Sequence, residues 1–386
     1  MFLRLIKPTK TNSCFIFGAR GTGKSTYLGA QKLQNSVFIN LLDQPVYRRY
    51  RHDPSLLKDD LKKIDPAKSV VVIDEVQKIP QLLDVVHDLI ESRKIKFILT
   101  GSSARKLKRG AANLLAGRAL QYFMFPMTAV ELGDQFDLQS VMEWGALPKI
   151  FALEGEDRAD YLKTYAGTYL KEEVLEEQLT RSTFAFRNFL EVAAQENGNT
   201  LNFSKIAKDL NVDPKTAQGF FQILEDTLVG FFLPAYHRSV RKSVKLQPKF
   251  YLFDLGVKRA LEHSLHQPLN PSTKAYGRAF EHFVICEIMR INSYRKLDYQ
   301  LSHYQTYAGG EIDLVLYRGR EVIAIEIKSY TTVDKSDAKH LQALAESLKP
   351  TKCYLISQDR NPIVVDDVVC CHYLDFLTQE LGVAQK

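Results

Sequence analysis

The sequence predicts an α/β protein of several domains, with a parallel-sheet domain first, helices in the middle and a second α/β domain last. Three stretches carry that expectation. The first is Phe15-Ile16-Phe17-Gly18-Ala19-Arg20-Gly21-Thr22-Gly23-Lys24-Ser25-Thr26, an apolar strand running into G-x-x-x-x-G-K-S and directly on into a helical pattern. The second is Val70-Val71-Val72-Ile73-Asp74-Glu75, four β-branched residues that indicate a strand buried on both faces, ending in two carboxylates. The third is a pair of period-two runs over residues 311–317 and 321–328.

Whole-chain properties narrow the field. At 386 residues, two or three domains are expected, each large enough for its own core. The composition, 45% hydrophobic and 25% charged, is that of a soluble globular protein. A net charge of +7 permits a nucleic-acid partner without requiring one. Cys14, Cys286, Cys353, Cys370 and Cys371 form no C-x-x-C pair and have no nearby histidine cluster. They read as reduced core thiols in a cytoplasmic protein, not as a disulfide frame or zinc site. The first residues are too short and too charged for a signal peptide, and no apolar run approaches the ~20 residues that span a bilayer.

Each residue of the first stretch has a chemical task. Gly18 to Gly23 (Gly18, Ala19, Arg20, Gly21, Thr22, Gly23) turn backbone N–H groups around a phosphate, and Lys24, Ser25 and Thr26 open the helix behind it. Lys24 reaches the β- and γ-phosphate oxygens of ATP, and the Ser25 hydroxyl holds Mg²⁺. In an open α/β sheet, ligands bind beyond the carboxyl ends of the strands, which sets Asp74 beside the metal and Glu75 beside the attacking water. A glycine-rich turn with a surface lysine, or acids that merely open a helix, would explain either feature alone; the pair is better explained by nucleotide hydrolysis. A strand at residues 37–41, a helix over 79–90 and a strand over 96–103 complete the sheet domain. Ser102 and Thr100 are both candidates to bridge the γ-phosphate and the water. The cluster Arg105-Lys106-Leu107-Lys108-Arg109 reads as a solvated face ahead of a binding patch. Arg118, a lone arginine after an apolar run and a glycine, is a candidate arginine finger for a neighbouring subunit's ATP.

Four motifs now occur together: residues 73–80 (IDEVQKIP), 99–103 (LTGSS), 115–118 (LAGR) and 125–132 (FPMTAVEL). This series resembles the bacterial and archaeal AAA+-type P-loop ATPases that carry a C-terminal domain of unknown function. The resemblance implies an AAA+-type parallel sheet with the acidic-strand glutamate as base. It also implies a homo-oligomer that shares active sites, a ring with six subunits as one option.

In the middle, Trp144-Gly145-Ala146-Leu147-Pro148 resembles that family's Gly-Pro hinge, and residues 160–178 are expected to form an amphipathic helix with Tyr161, Leu162, Tyr165, Tyr169, Leu170, Val174 and Leu175 on its apolar face. Residues 202–226 have helix-turn-helix spacing: a helix, a tight turn at Asn211, then Asp213 capping a second helix with Pro214 at its first position. Phe220, Phe221 and Leu224 face inward, and Lys215, Thr216, Gln218 and Gln222 outward. The basic stretch at residues 237–245 alternates and is expected to form the wing of a winged helix. DNA contact and pure scaffolding both remain open.

In the last third, residues 249–256 read as a strand and turn and residues 277–289 as a helix with Phe280, Val284 and Ile288 inward. The two alternating runs form a hairpin with one buried face, on which Ile312, Leu314 and Leu316 pack with Ile323, Ile325 and Ile327. Asp313, Glu326 and Lys328 share the other face. A turn at Arg318-Gly319 sets Asp313 diagonal to Glu326, and one at Gly319-Arg320 sets them face to face. A plain solvated face is the bland alternative. The D…E-x-K array is similar to the PD-(D/E)XK nuclease fold, with Ile312 in place of the eponymous proline. That resemblance implies Glu281 as a further site carboxylate, Mg²⁺ held by Glu281, Asp313 and Glu326, and Lys328 activating water for phosphodiester attack. The expected division is 1–135 ATPase, 136–195 helical linker, 196–248 winged helix and 249–386 nuclease-like domain. The expected function is an oligomeric ATPase acting on DNA, with a nucleotide-regulated switch that cuts nothing as the rival.

Overall fold

A computed structural model describes residues 2–31, 35–102, 115, 117–170, 183–244, 246–306 and 309–382. Ser103, the 105–109 basic cluster, Val174 and Leu175 lie outside the described residues. The chain divides into two compact units: residues 3–126 with 226–229, and residues 1–2 with 127–225 and 230–386.

The smaller unit is built on a five-stranded sheet ordered β2-β3-β4-β1-β5, with β1 Ser13–Phe17, β2 Ser36–Asn40, β3 Val70–Asp74, β4 Lys96–Gly101 and β5 Ala119–Phe123. Every pairing is parallel, which requires crossovers, and the helices Lys24–Ala30, Gln44–His52 and Leu82–Arg93 supply them. Val71, Val72, Ile73, Phe97 and Leu99 are almost fully buried, as double-faced strands require. Phe17 pairs with Gly101, and Ile73 with Leu99. The loop after β1, the acids ending β3 and the hydroxyls ending β4 therefore share one edge of the sheet.

The larger unit contains a two-stranded sheet, β6 Gly230–Leu233 with β7 Lys249–Leu252, and a six-stranded sheet ordered β12-β13-β11-β10-β9-β8. The latter's strands are β8 Gln300–Gln305, β9 Glu311–Arg318, β10 Glu321–Ile327, β11 Lys352–Ser357, β12 Ile363–Val365 and β13 Val368–His372. Helices Phe203–Asp209 and Pro214–Asp226 flank a turn where Asn211 has φ 52°, and the Thr216 N–H donates to Asp213 Oδ1 at 2.9 Å. Phe221 meets Phe189 at 4.8 Å and Phe250 at 5.0 Å, edge to face, so the second helix is seated on β7.

Three expectations change. The basic stretch is not extended: Val240–Ser243 is a helical turn within the β6–β7 connection, so its alternating pattern does not make a strand. The amphipathic helix over 160–178 begins earlier, as Glu156–Thr164, and passes into a π-helical turn, Tyr165–Tyr169. The hairpin of β9 and β10 is buried on both faces, not one. Val315, Val322 and Ala324 pack with Ala338 and Leu341 of the helix Lys335–Ala345, while Leu314, Leu316, Ile323 and Ile325 are equally enclosed. The reason is position: β10 is an interior strand between β9 and β11. Asp313 and Glu326 thus sit at the end of a core face.

Candidate functional sites

In the smaller unit the loop after β1 is drawn against the sheet. The Gly18 N–H donates to Gly101 O at 3.2 Å, and a side chain at Gly18 would collide with the Met124 carbonyl. Gly21 and Gly23 hold φ 82° and 93°, conformations open to glycine at no steric cost. Thr22 Oγ1 donates to Ala19 O at 2.8 Å, and Lys24 Nζ donates to Gly18 O at 2.7 Å and Ala19 O at 3.2 Å, so the lysine is enclosed by the loop's own backbone.

Beside it, Ser25 Oγ donates to Asp74 Oδ2 at 2.7 Å, so a hydroxyl of the loop and the β3 carboxylate lie one hydrogen bond apart. Two hard oxygen donors in that relation suit Mg²⁺. Thr100 Oγ1 donates to Asp74 Oδ1 and accepts the Glu75 N–H at 3.0 Å. Glu75 takes φ 60°, which turns its side chain out of the strand's alternation. Its carboxylate accepts from Gln77 Nε2, which also donates to Ser102 Oγ at 3.0 Å. Sequence reasoning gave Gln77 no role, and no spacing in the sequence pointed to one. Arg20 lies in the loop, and Thr26 in the first turn of the helix Lys24–Ala30.

Arg118 lies just before β5, whose first residue, Ala119, pairs with Ser13 at the start of β1. It is therefore at the opposite sheet edge from its own phosphate loop, roughly 15 Å away at ~3.3 Å per strand residue. Its guanidinium pairs with Glu91 and depresses that exposed carboxylate's pKa.

In the larger unit, β9 and β10 turn at Gly319-Arg320: Arg318 pairs with Glu321 and Leu314 with Ile325, so the register brings Asp313 opposite Glu326. Both acids, with Glu281 and Glu311, line a cleft with about 290 Å³ open to water-sized molecules. Asp313 Oδ2 accepts the Ile327 N–H at 2.8 Å, and Lys328 Nζ donates to Glu326 Oε1 at 2.6 Å. Burial, with Glu281 and Glu326 facing it, pushes the Asp313 carboxyl well above its usual range, and burial likewise raises Glu326. That excess of negative charge, and a buried Glu326 Oε2 with no hydrogen-bond partner among the described residues, suit a hard divalent cation. The donors nearest to hold it are Asp313 and Glu326; among the described residues, no three acid, histidine or cysteine side chains form a metal-binding group.

Glu281 projects from the helix Lys274–Arg295 and accepts from Tyr251 Oη at 2.7 Å. Lys249, 5% exposed, lies 3.5 Å from Glu281 and in contact with Glu311. Lys249, Tyr251 and Glu311 were missed as site residues. The alternation of Lys249-Phe250-Tyr251-Leu252, with two polar ends on one face of an aromatic strand, was the signal that could have found the first two. The polar run Asn197, Gly198, Asn199 and Thr200 also lines the cleft, held to β7 by Gly198 N–H donating to Phe250 O at 2.8 Å.

Comparison with known proteins divides the chain in three. Residues 10–133 match an AAA domain, residues 135–268 a domain of unknown function (DUF8612) and residues 276–376 another (DUF4143). An uncharacterized protein of Mycobacterium tuberculosis is 24% identical over 72% of this chain and 63% of its own length. The chain thus spans less than two thirds of that mycobacterial relative. An uncharacterized protein of Methanocaldococcus jannaschii is 24% identical over 92% of this chain and 83% of its own. Among solved structures, the Aeropyrum pernix ORC1 protein in complex with DNA is 12% identical, covers 66% of this chain and 87% of its own, and superposes with a TM-score of 0.29, too loosely to bear on this chain. The five-stranded parallel sheet and its phosphate loop are an AAA-type P-loop ATPase domain, and the chain's last third carries a domain of unknown function.

Proposed function

We propose that the AAA-type domain hydrolyses ATP and that the chain uses it to act on DNA, which the cleft of the larger unit cuts by Mg²⁺-dependent phosphodiester hydrolysis. In the first site Lys24 neutralises the β- and γ-phosphates, Ser25 and Asp74 hold Mg²⁺, and Glu75 takes the proton of the attacking water. In the second, Asp313 and Glu326 hold one Mg²⁺ and Lys328 orients the water; the metal, when bound, supplies charge to the phosphodiester oxygens. The observation that carries the nuclease reading is Asp313 and Glu326 together in an open cleft, with Lys328 on Glu326 and Glu326 Oε2 without a hydrogen-bond partner among the described residues. Arg118, set away from its own loop, fits a finger acting across subunits of a homo-oligomer. The proposed domain division is 1–135, 136–195, 196–248 and 249–386, with residues 196–248 as a winged-helix module. Five buried free cysteines suit a cytoplasmic protein, and no described helix is long and apolar enough to cross a membrane.

A second reading has its own support. Lys249 and Lys328 already pair with Glu281, Glu311 and Glu326, and a self-neutralised cleft suits a nucleotide-regulated switch that binds DNA or a protein and cuts nothing. Labelled duplex, single-stranded and branched DNA, incubated with the full chain, Mg²⁺ and ATP, separates the two. Wild type is expected to cleave at least one substrate and Asp313→Ala none. Intact DNA in every lane, with binding retained, would establish the switch.

A further inference from the structure

We propose that Lys249 is the fixed counter-charge of the carboxylate cleft, standing where a second cation would go, so that the cleft takes a single divalent ion on Asp313 and Glu326 and Glu281 is not a ligand. This rests on the metal reading of the same cleft.

Four carboxylates line the cleft, and the structure splits them into two pairs. Glu281 and Glu311 are both turned to Lys249 Nζ, at 3.5 Å and in direct contact. Glu281 Oε1 also receives the Tyr251 hydroxyl at 2.7 Å, so β7 engages that oxygen twice. A buried ammonium persists only with such partners, because burial alone disfavours its charge. Here burial lowers the Lys249 pKa, but Glu281 and Glu311, with Asp313 behind them, more than offset it, and the net shift is upward: the lysine stays charged.

The other pair is differently placed. Asp313 and Glu326 each have one oxygen occupied, by the Ile327 N–H and by Lys328. Glu326 is only 8% exposed, yet its Oε2 has no partner among the described residues. Glu326 lines the cleft together with Asp313, and its buried oxygen without a hydrogen-bond partner among the described residues is the feature that asks for a cation. Paired ions in two-metal sites sit about 3.5–4 Å apart and share carboxylates. An ammonium already bound to Glu281 and Glu311 takes the carboxylates a second ion would need.

The test is calorimetric titration of the nucleotide-free full chain with Mn²⁺. Wild type is expected to bind one ion more than Asp313→Ala. Glu281→Gln, whose amide oxygen still accepts from Tyr251, should keep that ion with Kd changed less than threefold. Lys249→Met should take up a second ion, and that ion should vanish in Lys249→Met/Glu281→Gln. A tenfold or greater loss of affinity in Glu281→Gln would overturn the proposal, as would two ions in wild type lost together in Asp313→Ala. Should Lys249→Met fail to fold, as judged by circular dichroism, Glu281→Gln decides alone. Equal uptake by wild type and Asp313→Ala would overturn the metal reading itself, and the proposal with it.

Discussion

Thr100 and Ser102 stood equal in the sequence, one of them to bridge the γ-phosphate and the water, and their hydrogen bonds now separate them. A hydroxyl has one proton to give. Thr100 spends it on Asp74 Oδ1 and accepts the Glu75 N–H, so it fixes the acids rather than touching substrate. Ser102 Oγ accepts from Gln77 Nε2 and keeps its proton to donate. Thr100→Val should therefore cost about 1–3 kcal/mol of stability, the usual penalty for stranding a buried acceptor. Ser102→Ala should fold normally and lower ATP turnover roughly tenfold, a loss on the order of 1.4 kcal/mol of transition-state stabilisation. Lys24→Ala should abolish tight nucleotide binding, because the lysine meets ground-state phosphates, whereas Glu75→Gln should bind and not turn over. Urea unfolding checks the first, steady-state kinetics with equilibrium binding of a fluorescent nucleotide checks the other three, and wild-type turnover by Glu75→Gln would show that another group is the base. The placement of Asp74 and Glu75 at the end of β3 was legible because it is local: a motif, a strand end and a known direction. Gln77 was not, because its role depends on Glu75 leaving the strand at φ 60°, a bend that no pattern in the sequence announces.

The helix Lys274–Arg295 shows what periodicity can and cannot reveal. Its apolar stripe is visible, and Phe280, Val284 and Ile288 are fully buried. Glu287 and Arg290 are enclosed too, 0% and 3% exposed, which the pattern gives no reason to expect. Their partners are far along the chain: Glu287 accepts the Ala129 N–H at 2.8 Å, and Arg290 donates to Met127 O at 3.1 Å and Phe253 O at 2.8 Å. The pair pins backbone groups that no strand or helix satisfies. A similar device holds residues 144–148, where Asp254 accepts from Ala146 and Val257 and any side chain at Gly145 would collide with it. Arg290→Met should cost about 3–5 kcal/mol, since it strands Glu287 and two carbonyls together. Urea unfolding measures it, and a loss under 1 kcal/mol would mean that water replaces the guanidinium. The hairpin was legible to within one residue of register, because two turns satisfied its alternation. The burial of its acidic face was not, since the covering helix Lys335–Ala345 is set by tertiary packing.

Buried titratable groups give the larger unit a pH response whose sign can be worked out. His282 Nε2–H donates to Leu252 O at 2.6 Å, and its Nδ1 faces the Asn197 amide at 3.2 Å, an arrangement for the neutral ring. Burial, aided by Lys258 and Arg290, pulls its pKa from 6.5 down to about 3. His303 falls to about 4 through burial and Lys249. Below pH 6.5 the unfolded chain therefore takes up protons that the folded one refuses, and stability falls as pH falls. Glu287 acts in the opposite sense. Burial raises it to about 7 from 4.5, so the folded chain holds a proton through that window and loses stability as pH rises across it. The two trends oppose each other between pH 4.5 and 6.5, and the raised Asp313, Glu326 and Asp254 act in the same sense as Glu287. Wild-type curves alone cannot apportion these effects, but a difference between variants can. His282→Gln keeps a donor for Leu252 O and removes one titration, so its destabilisation relative to wild type should shrink as pH falls from 6.5 to 4, by up to about 1.4 kcal/mol per pH unit. The chain's one tryptophan, Trp144, belongs to the larger unit, and its fluorescence during urea unfolding reports on the right part of the molecule. Parallel stability curves for the two proteins would mean that His282 titrates alike folded and unfolded, and the neutral-ring assignment would fall.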